Sequence, residues 1–320
     1  MLYFKLPNLS TLYTVGHTQS SSPVQFVSFD QKKIAAFKGF IIEADSVDTC
    51  KQLNEAVLPH FPKDVQDIVK SDYFALVERT KNILIDRGLK KLVLSRRKPQ
   101  NISTIKLGDV FFNLQRAYPE AFVYIFTYEN TYWLGAFSEI LGKYNKKDST
   151  FHTMSLAGTL PLDQEWSGKE YQEQGAVTEY IQNILRDYAI EVNQSPTYSH
   201  RSGAIKHLRT DFKIKLEENQ LDAIIQELHP TPAVCGHPKA LCQDLIHSLE
   251  NSDREFYAGY SRVETQDEIY FFVTLRCAKI YQDGAVLYVG GGITPLSDPL
   301  QEWEETEQKA QALLSHLVRI

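Results

Sequence analysis

Two runs of aromatic and β-branched residues, Ala121–Tyr128 and Tyr132–Phe137, stand back to back with only Glu129-Asn130-Thr131 between them. Such a pair reads as a β-hairpin, and no helix fits in the gap. Further strand-like runs occur at Lys91–Ser95, Thr153–Leu160, Ile269–Lys279 and Ala285–Val289. Parallel strands need long crossovers, so strands that follow one another this directly favour antiparallel pairing over a Rossmann pattern. Helical stretches lie between them, at 64–87, 108–117, 168–192, 206–227, 238–250 and 299–318. The chain therefore reads as α+β, and it shows no internal repeat or low-complexity linker.

The 320 residues suffice for one large domain or two closely packed halves, and a hydrophobic content of 43% supports a sizeable core. A net charge of −6 argues against nucleic acid or an anionic membrane as the main partner. It leaves room for a small anionic substrate held by local positive groups. Cys50, Cys235, Cys242 and Cys277 form no C-x-x-C pair, so a zinc site of the usual spacing is not expected. The opening MLYFKLPNLSTLYT lacks the features of a signal peptide, and the apolar run Ile34–Ile42 is interrupted by Lys38 and too short to span a bilayer. A reduced cytoplasmic protein is the expectation.

Near the C-terminus a strand reaches Gly290-Gly291-Gly292, and Ser297-Asp298-Pro299 opens a helix. On that helix Glu302, Glu305 and Lys309 fall within an arc roughly 60° wide, beside the apolar stripe of Trp303, Ala310, Leu313, Leu314 and Leu317. Two carboxylates and an ammonium at the edge of a buried face suit a metal and an anion, although a surface salt-bridge cluster has the same spacing. The helix from 168 begins with a capping box, Ser167 with Glu170. It places Glu173 in line with Val177, Tyr180, Ile181, Ile184 and Tyr188. A carboxylate there needs a partner.

Lys91-Leu92-Val93-Leu94-Ser95-Arg96 is either an edge strand with solvated basic ends or the seat of a general-base lysine, made available by burial or by a nearby cation such as Arg96. Glu139 ends a strand, and Gly158 marks a bend or a close backbone approach. His229-Pro230-Thr231-Pro232-Ala233-Val234-Cys235-Gly236 is a proline-stiffened connector, with His229 a possible ligand. Arg276 reads as a mid-strand arginine, which pairs with an acid or holds an anion. The absence of G-x-x-x-x-G-K-[ST] and of a Rossmann acid rejects a nucleotide site.

In order, KLVLSR, LAGTLP, HPTPAVCG, FYAG with TLRCA, and GGGITPLSDPLQEWEETEQK resemble the chorismate-utilising enzymes from about Asp64 to the C-terminus. That resemblance implies large antiparallel sheets stacked around a central cleft with helices outside. It also implies a variable region over 1–63 packed on a catalytic domain over 64–320. Carried over by motif, Lys91 resembles the water-activating base and Glu139 the general acid. Glu173 and Glu305, with Glu302 nearby, resemble the Mg²⁺ ligands. Arg276 and Lys309 resemble substrate-carboxylate contacts, with Gly158, Thr159, Ala233, Gly290 and Gly291 against the substrate. The chain departs from the pattern in reading Phe137-Ser138 where Ser-Pro is usual before the acid, and Gln174 where histidine often follows the helix glutamate.

The form T-P-A-V-C-G resembles the water-using isochorismate synthases, whereas ammonia-using members commonly read P-x-G-T-V-S-G. The implied reaction is chorismate to isochorismate with Mg²⁺, for menaquinone or for a siderophore, with menaquinone the expected route. A monomer without a glutaminase subunit is expected. Salicylate synthase and the large components of anthranilate and aminodeoxychorismate synthase are the alternatives.

Overall fold

The computed structural model describes residues 1–16, 21–202 and 205–317. The chain begins β1 (Leu2–Lys5), β2 (Tyr13–Gly16), β3 (Val24–Val27), β4 (Ile34–Phe37), β5 (Phe40–Glu43), α1 (Ser46–Asn54) and α2 (Lys70–Arg87). It continues β6 (Leu92–Asn101), α3 (Leu107–Ala117), β7 (Phe122–Tyr128), β8 (Thr131–Phe137), β9 (Ile140–Asn145), β10 (Thr150–Pro161) and α4 (Gly168–Tyr188). Then come β11 (Asn193–Gln194), β12 (Tyr198–Ser202), β13 (Ile205–Lys215), α5 (Leu221–Leu228) and α6 (Lys239–Leu249). The last elements are β14 (Tyr260–Glu264), β15 (Glu268–Val273), β16 (Cys277–Tyr281), β17 (Gly284–Ile293) and α7 (Pro299–Leu317).

The strands form two antiparallel sheets. One has eight strands in the order β5-β2-β1-β7-β8-β16-β17-β6, and the other runs β11-β13-β10-β9-β15-β14-β3-β4 with β12 on β13. The α+β expectation therefore holds. The β7–β8 hairpin closes through Glu129 and Asn130, both at positive φ (47° and 59°), the two-residue turn whose twist matches its strands. Strands of the first 63 residues join both sheets, β1 against β7 and β3 against β14.

Period-two alternation sorts the core into layers. Phe122, Tyr124 and Phe126 face the space between the sheets, where Phe122 stacks on Phe272 at 4.5 Å and Phe126 on Phe26 at 4.1 Å. Val123 and Ile125 face the other way, into a layer with Phe111 and Leu114 of α3 and Leu313 and Leu317 of α7. Each fully buried ring contributes on the order of 2–3 kcal/mol of apolar burial.

Four sequence expectations change. The stretch 206–227 opens as strand rather than helix: Leu208, Thr210, Phe212 and Ile214 are buried in alternation on β13, and the α-helix begins only at Leu221. The helix expected over 64–87 starts at Lys70. The strand expected over Ala285–Val289 is longer, because Gly290, Gly291 and Gly292 belong to the last part of β17, paired with Ser95, Leu94 and Val93. Ile269–Lys279 is not one strand either: residues 274–276 carry the chain from β15 in one sheet to β16 in the other, with Arg276 at φ 45°. Residues 138–139 make the same passage between β8 and β9. The two links lie side by side, Val273 N donating to Glu139 O (3.1 Å) and Ala136 N to Arg276 O (3.3 Å). Among the described residues no helix is long and apolar enough to cross a membrane.

Candidate active site

A cleft of about 140 Å³ opens where the sheets meet, and the paired links put Glu139 and Arg276 on its wall. Lys91, Gly158, Thr159, Glu173, Ala233, Gly290, Gly291, Glu305 and Lys309 line the same cleft. Residues separated by more than two hundred positions thus converge on one cavity. Glu302 does not line it. Its carboxylate accepts from Ser297 Oγ (2.6 Å), and a Cβ placed on Gly291 would lie 3.1 Å from its Oε2. It stands behind the glycine strand, on the helix side.

Lys91 enters at the start of β6 and hydrogen-bonds to Glu173. Its stem crosses β17 at Gly292, where a Cβ would come within 2.2 Å of Lys91 Cε, so a side chain there would displace the lysine. Arg96 has opposite parity on the strand and faces away from Lys91. It is buried between α2 and α7, with Asp67 at 2.8 Å, Thr306 at 3.1 Å and the Trp303 ring at 3.9 Å. The idea that Arg96 conditions Lys91 is therefore set aside, and its work is to clamp two helices onto the sheet.

Glu173 reaches the cleft because its neighbour Gln174 points the other way. Gln174 is buried and donates to Ser155 Oγ (2.8 Å) and Thr210 Oγ1 (3.3 Å), fixing α4 against β10 and β13. At the helix start Glu170 accepts from Ser167 N–H (2.9 Å) and from its hydroxyl (2.6 Å). On α7, Lys309 donates to Glu305 (2.6 Å) and to Gly290 O (2.8 Å). Burial pushes the Glu305 carboxyl up, and the Lys309 ammonium outweighs it and holds the group below the ordinary carboxylate value; Glu173 nearby acts with burial.

Glu139 is 6% exposed. Burial raises its carboxyl to about 7, against the pull of the Lys91 ammonium. Arg276 has no hydrogen-bonded or ionic partner among the described residues; its guanidinium lies 5.1 Å from the centre of the Phe137 ring. Burial lowers its pKa, with Tyr118 acting the other way. His229 lies outside the cleft, in the core between Phe29 and Tyr260, with Nε2 3.2 Å from Phe29 O.

His207 was not singled out in the sequence, since it fell in a stretch read as helix. It lines the cleft with Nδ1 3.1 Å from Gly158 O and from Thr159 Oγ1. A carbonyl only accepts, so the Gly158 contact places the proton on Nδ1 and leaves Nε2 as a lone pair. Burial lowers the ring to about 4, and Nε2 is buried without a hydrogen-bond partner among the described residues. Gly158 makes this possible by bulging β10 at φ 68°. Sequence reasoning also missed the pair Arg254 and Glu250, at 2.6 Å. Arg254 also donates to Val93 O and Val234 O, both at 2.8 Å. It thereby fastens the loop bearing Ala233 to the strand that follows Lys91.

Whether this set fits a metal can be judged from its donors. Among the described residues no group of three or more His, Cys, Asp or Glu is gathered at metal-holding spacing. Glu173 and Glu305 do sense one another as like charges, each presently paired with a lysine. Two carboxylates with hard oxygen donors suit Mg²⁺, which completes its shell with water and substrate oxygens.

Carboxyl, ammonium and guanidinium groups thus converge on the seam of an antiparallel double sheet, an arrangement suited to an enzyme acting on a small anion. Residues 12–318 match the chorismate binding enzyme family, and the chain belongs to that family. It is 33% identical over 198 residues to isochorismate synthase EntC of Escherichia coli K12, covering 57% of this chain and 50% of EntC. It is 30% identical over 262 residues to isochorismate synthase MenF of the same organism, covering 76% of this chain and 59% of MenF. The chain thus spans about half the length of the curated relatives it matches. The structure of E. coli MenF, described as menaquinone-specific, superposes with a TM-score of 0.82 at 22% identity over 99% of this chain and 88% of that one. This likeness speaks to the fold.

Proposed function

We propose that this protein is an isochorismate synthase, converting chorismate to isochorismate by adding water at C2 and expelling the C4 hydroxyl. One observation carries the reading: Lys91 and Glu139 share a small cleft, and burial brings the Glu139 carboxyl to about 7. An acid of that strength is half protonated near neutral pH, the condition for delivering a proton to a departing hydroxyl. Lys91 would take the proton of the attacking water. It serves as a base only as the neutral amine, so Glu173 must first be released from it.

Glu173 and Glu305 would hold Mg²⁺, which supplies charge stabilisation to a substrate carboxylate. Arg276 would hold the other carboxylate, with Lys309 and the backbone of Gly290 and Gly291 beside the ring. His207 Nε2 is suited to accept a hydrogen bond from a substrate hydroxyl, and Thr159 keeps its ring in place. Ala233 would leave the approach to C2 uncrowded. These groups explain how a chain of net charge −6 can bind a dianion. The proposal takes menaquinone supply as the use of the product, by a monomer that works without a glutaminase subunit.

The test is incubation with chorismate and Mg²⁺ and chromatographic separation of isochorismate, salicylate, pyruvate and anthranilate. Isochorismate as the main product supports the proposal. Salicylate with pyruvate, or anthranilate when ammonium is supplied, assigns one of the sister reactions instead.

A further inference from the structure

Arg276 is the one cleft cation among Lys91, Arg276 and Lys309 that no carboxylate holds among the described residues. Its backbone sits on a link between sheets at a left-handed φ of 45°, and what carries its head group is the face of Phe137. Phe137 is also where this chain departs from the pattern it resembles, reading Phe137-Ser138 where Ser-Pro is usual before the acid. The ring is therefore a property of this chain and calls for its own account.

A second cavity, of about 220 Å³, adjoins the cleft. Phe137 and Arg276 are the two residues that line both. The far side also carries Tyr118, Ser138, Arg201 and the carboxylate of Glu120. A flexible guanidinium at this partition has two destinations: a substrate carboxylate in the cleft, or the Glu120 carboxylate that lines the neighbouring cavity together with Arg201. An aromatic face attracts a guanidinium electrostatically and fixes its plane, and the attraction strengthens when water is excluded. An aliphatic side chain of similar bulk would fill the space without that attraction.

We propose that Phe137 is a positioning residue that holds Arg276 on the cleft side of this partition, ready to receive a carboxylate of a small dicarboxylate substrate. The substrate half of this inference rests on the function proposed above; the placement of Arg276 does not. Two measurements on the full chain separate them.

The first needs no substrate. Phenylglyoxal modification of Arg276, followed by peptide mass analysis, should run several-fold faster in Phe137→Leu than in wild type or Phe137→Tyr, at matched thermal midpoints. Equal rates in all three proteins overturn the proposal. The second is steady-state kinetics with chorismate and Mg²⁺. Phe137→Leu should raise KM about 3- to 30-fold, the size of one cation–π contact, with kcat within about threefold; Phe137→Tyr should stay near wild type. Adding Glu120→Gln to Phe137→Leu should recover part of the KM loss. A Phe137→Leu enzyme with wild-type KM, or equal losses in the Leu and Tyr variants, defeats the positioning role. If the wild type neither binds nor turns over chorismate while the modification rates differ as expected, the functional reading fails and the placement of Arg276 by Phe137 stands.

Discussion

Replacing Glu139 by glutamine should make the protein more stable at alkaline pH while disabling the proposed chemistry. Burial raises this carboxyl from 4.5 to about 7, with the Lys91 ammonium opposing. The folded state then holds the proton more tightly than the unfolded chain. Between pH 4.5 and 7 the unfolded chain binds fewer protons, so stability falls as pH rises through that window and stays low above it. The difference amounts to roughly 3 kcal/mol, all of it felt at pH 8 and only a small part at pH 5. Glutamine keeps the shape and cannot ionise. Urea unfolding should therefore show Glu139→Gln gaining on the order of 2–3 kcal/mol over wild type between pH 5 and pH 8. Turnover should drop at least ~10²-fold, the usual loss for a general acid. In the wild type, activity should fall away above about pH 7 as the acid form is lost. If wild type and variant keep the same stability difference at both pH values, Glu139 does not carry a raised pKa and the argument for its role as acid collapses.

Lys91→Ala should lose at least ~10²-fold in turnover while still binding chorismate in calorimetry; near-normal turnover would mean that another group is the base. EDTA should abolish turnover and Mg²⁺ restore it, with Glu305→Ala insensitive to added Mg²⁺; full activity in EDTA would remove the metal from the mechanism. Ala233→Thr should depress isochorismate formation by ~10–200-fold, more than it weakens chorismate binding, and the wild type should form no aminated product at high ammonium; anthranilate or aminodeoxyisochorismate at rival rates would point to the amine-transferring reaction. Arg254→Leu should cost about 3–5 kcal/mol in urea unfolding, because Glu250 would be left buried beside it; a loss under 1 kcal/mol would show that the pair does not fasten the Ala233 loop.

Much of this architecture was legible in the residue pattern. Uninterrupted strand runs gave antiparallel sheets, and helical spacing on α7 brought Glu305 to Lys309, now seen at 2.6 Å. Three kinds of information were not legible. The first was strand alternation hidden by composition: Lys206, Leu208, Arg209 and Lys213 are good helix formers, and only burial reveals the alternation of β13. That misreading hid His207. The second was continuity. Glycines signal an ending when read locally, yet β6 supplies a facing residue in register for each of Gly290, Gly291 and Gly292. The third was the change of sheet at residues 138–139 and 274–276, since no local residue pattern announces a strand that leaves one sheet for another.

That change of sheet sets how the site responds to motion. If the two sheets slide, Glu139 and Arg276 move as a pair, because their links are hydrogen-bonded to each other through Val273 and Ala136. Lys91 stands outside this pair of links, at the start of β6 beside β17, so those two hydrogen bonds do not fix its distance from them. The spacing between Glu139 and Arg276 is thus insulated from shear, while the distance from Lys91 to Glu139 is free to follow it. Under the proposed function, small displacements would tune proton delivery against proton removal and leave the contact of Arg276 with a carboxylate unchanged.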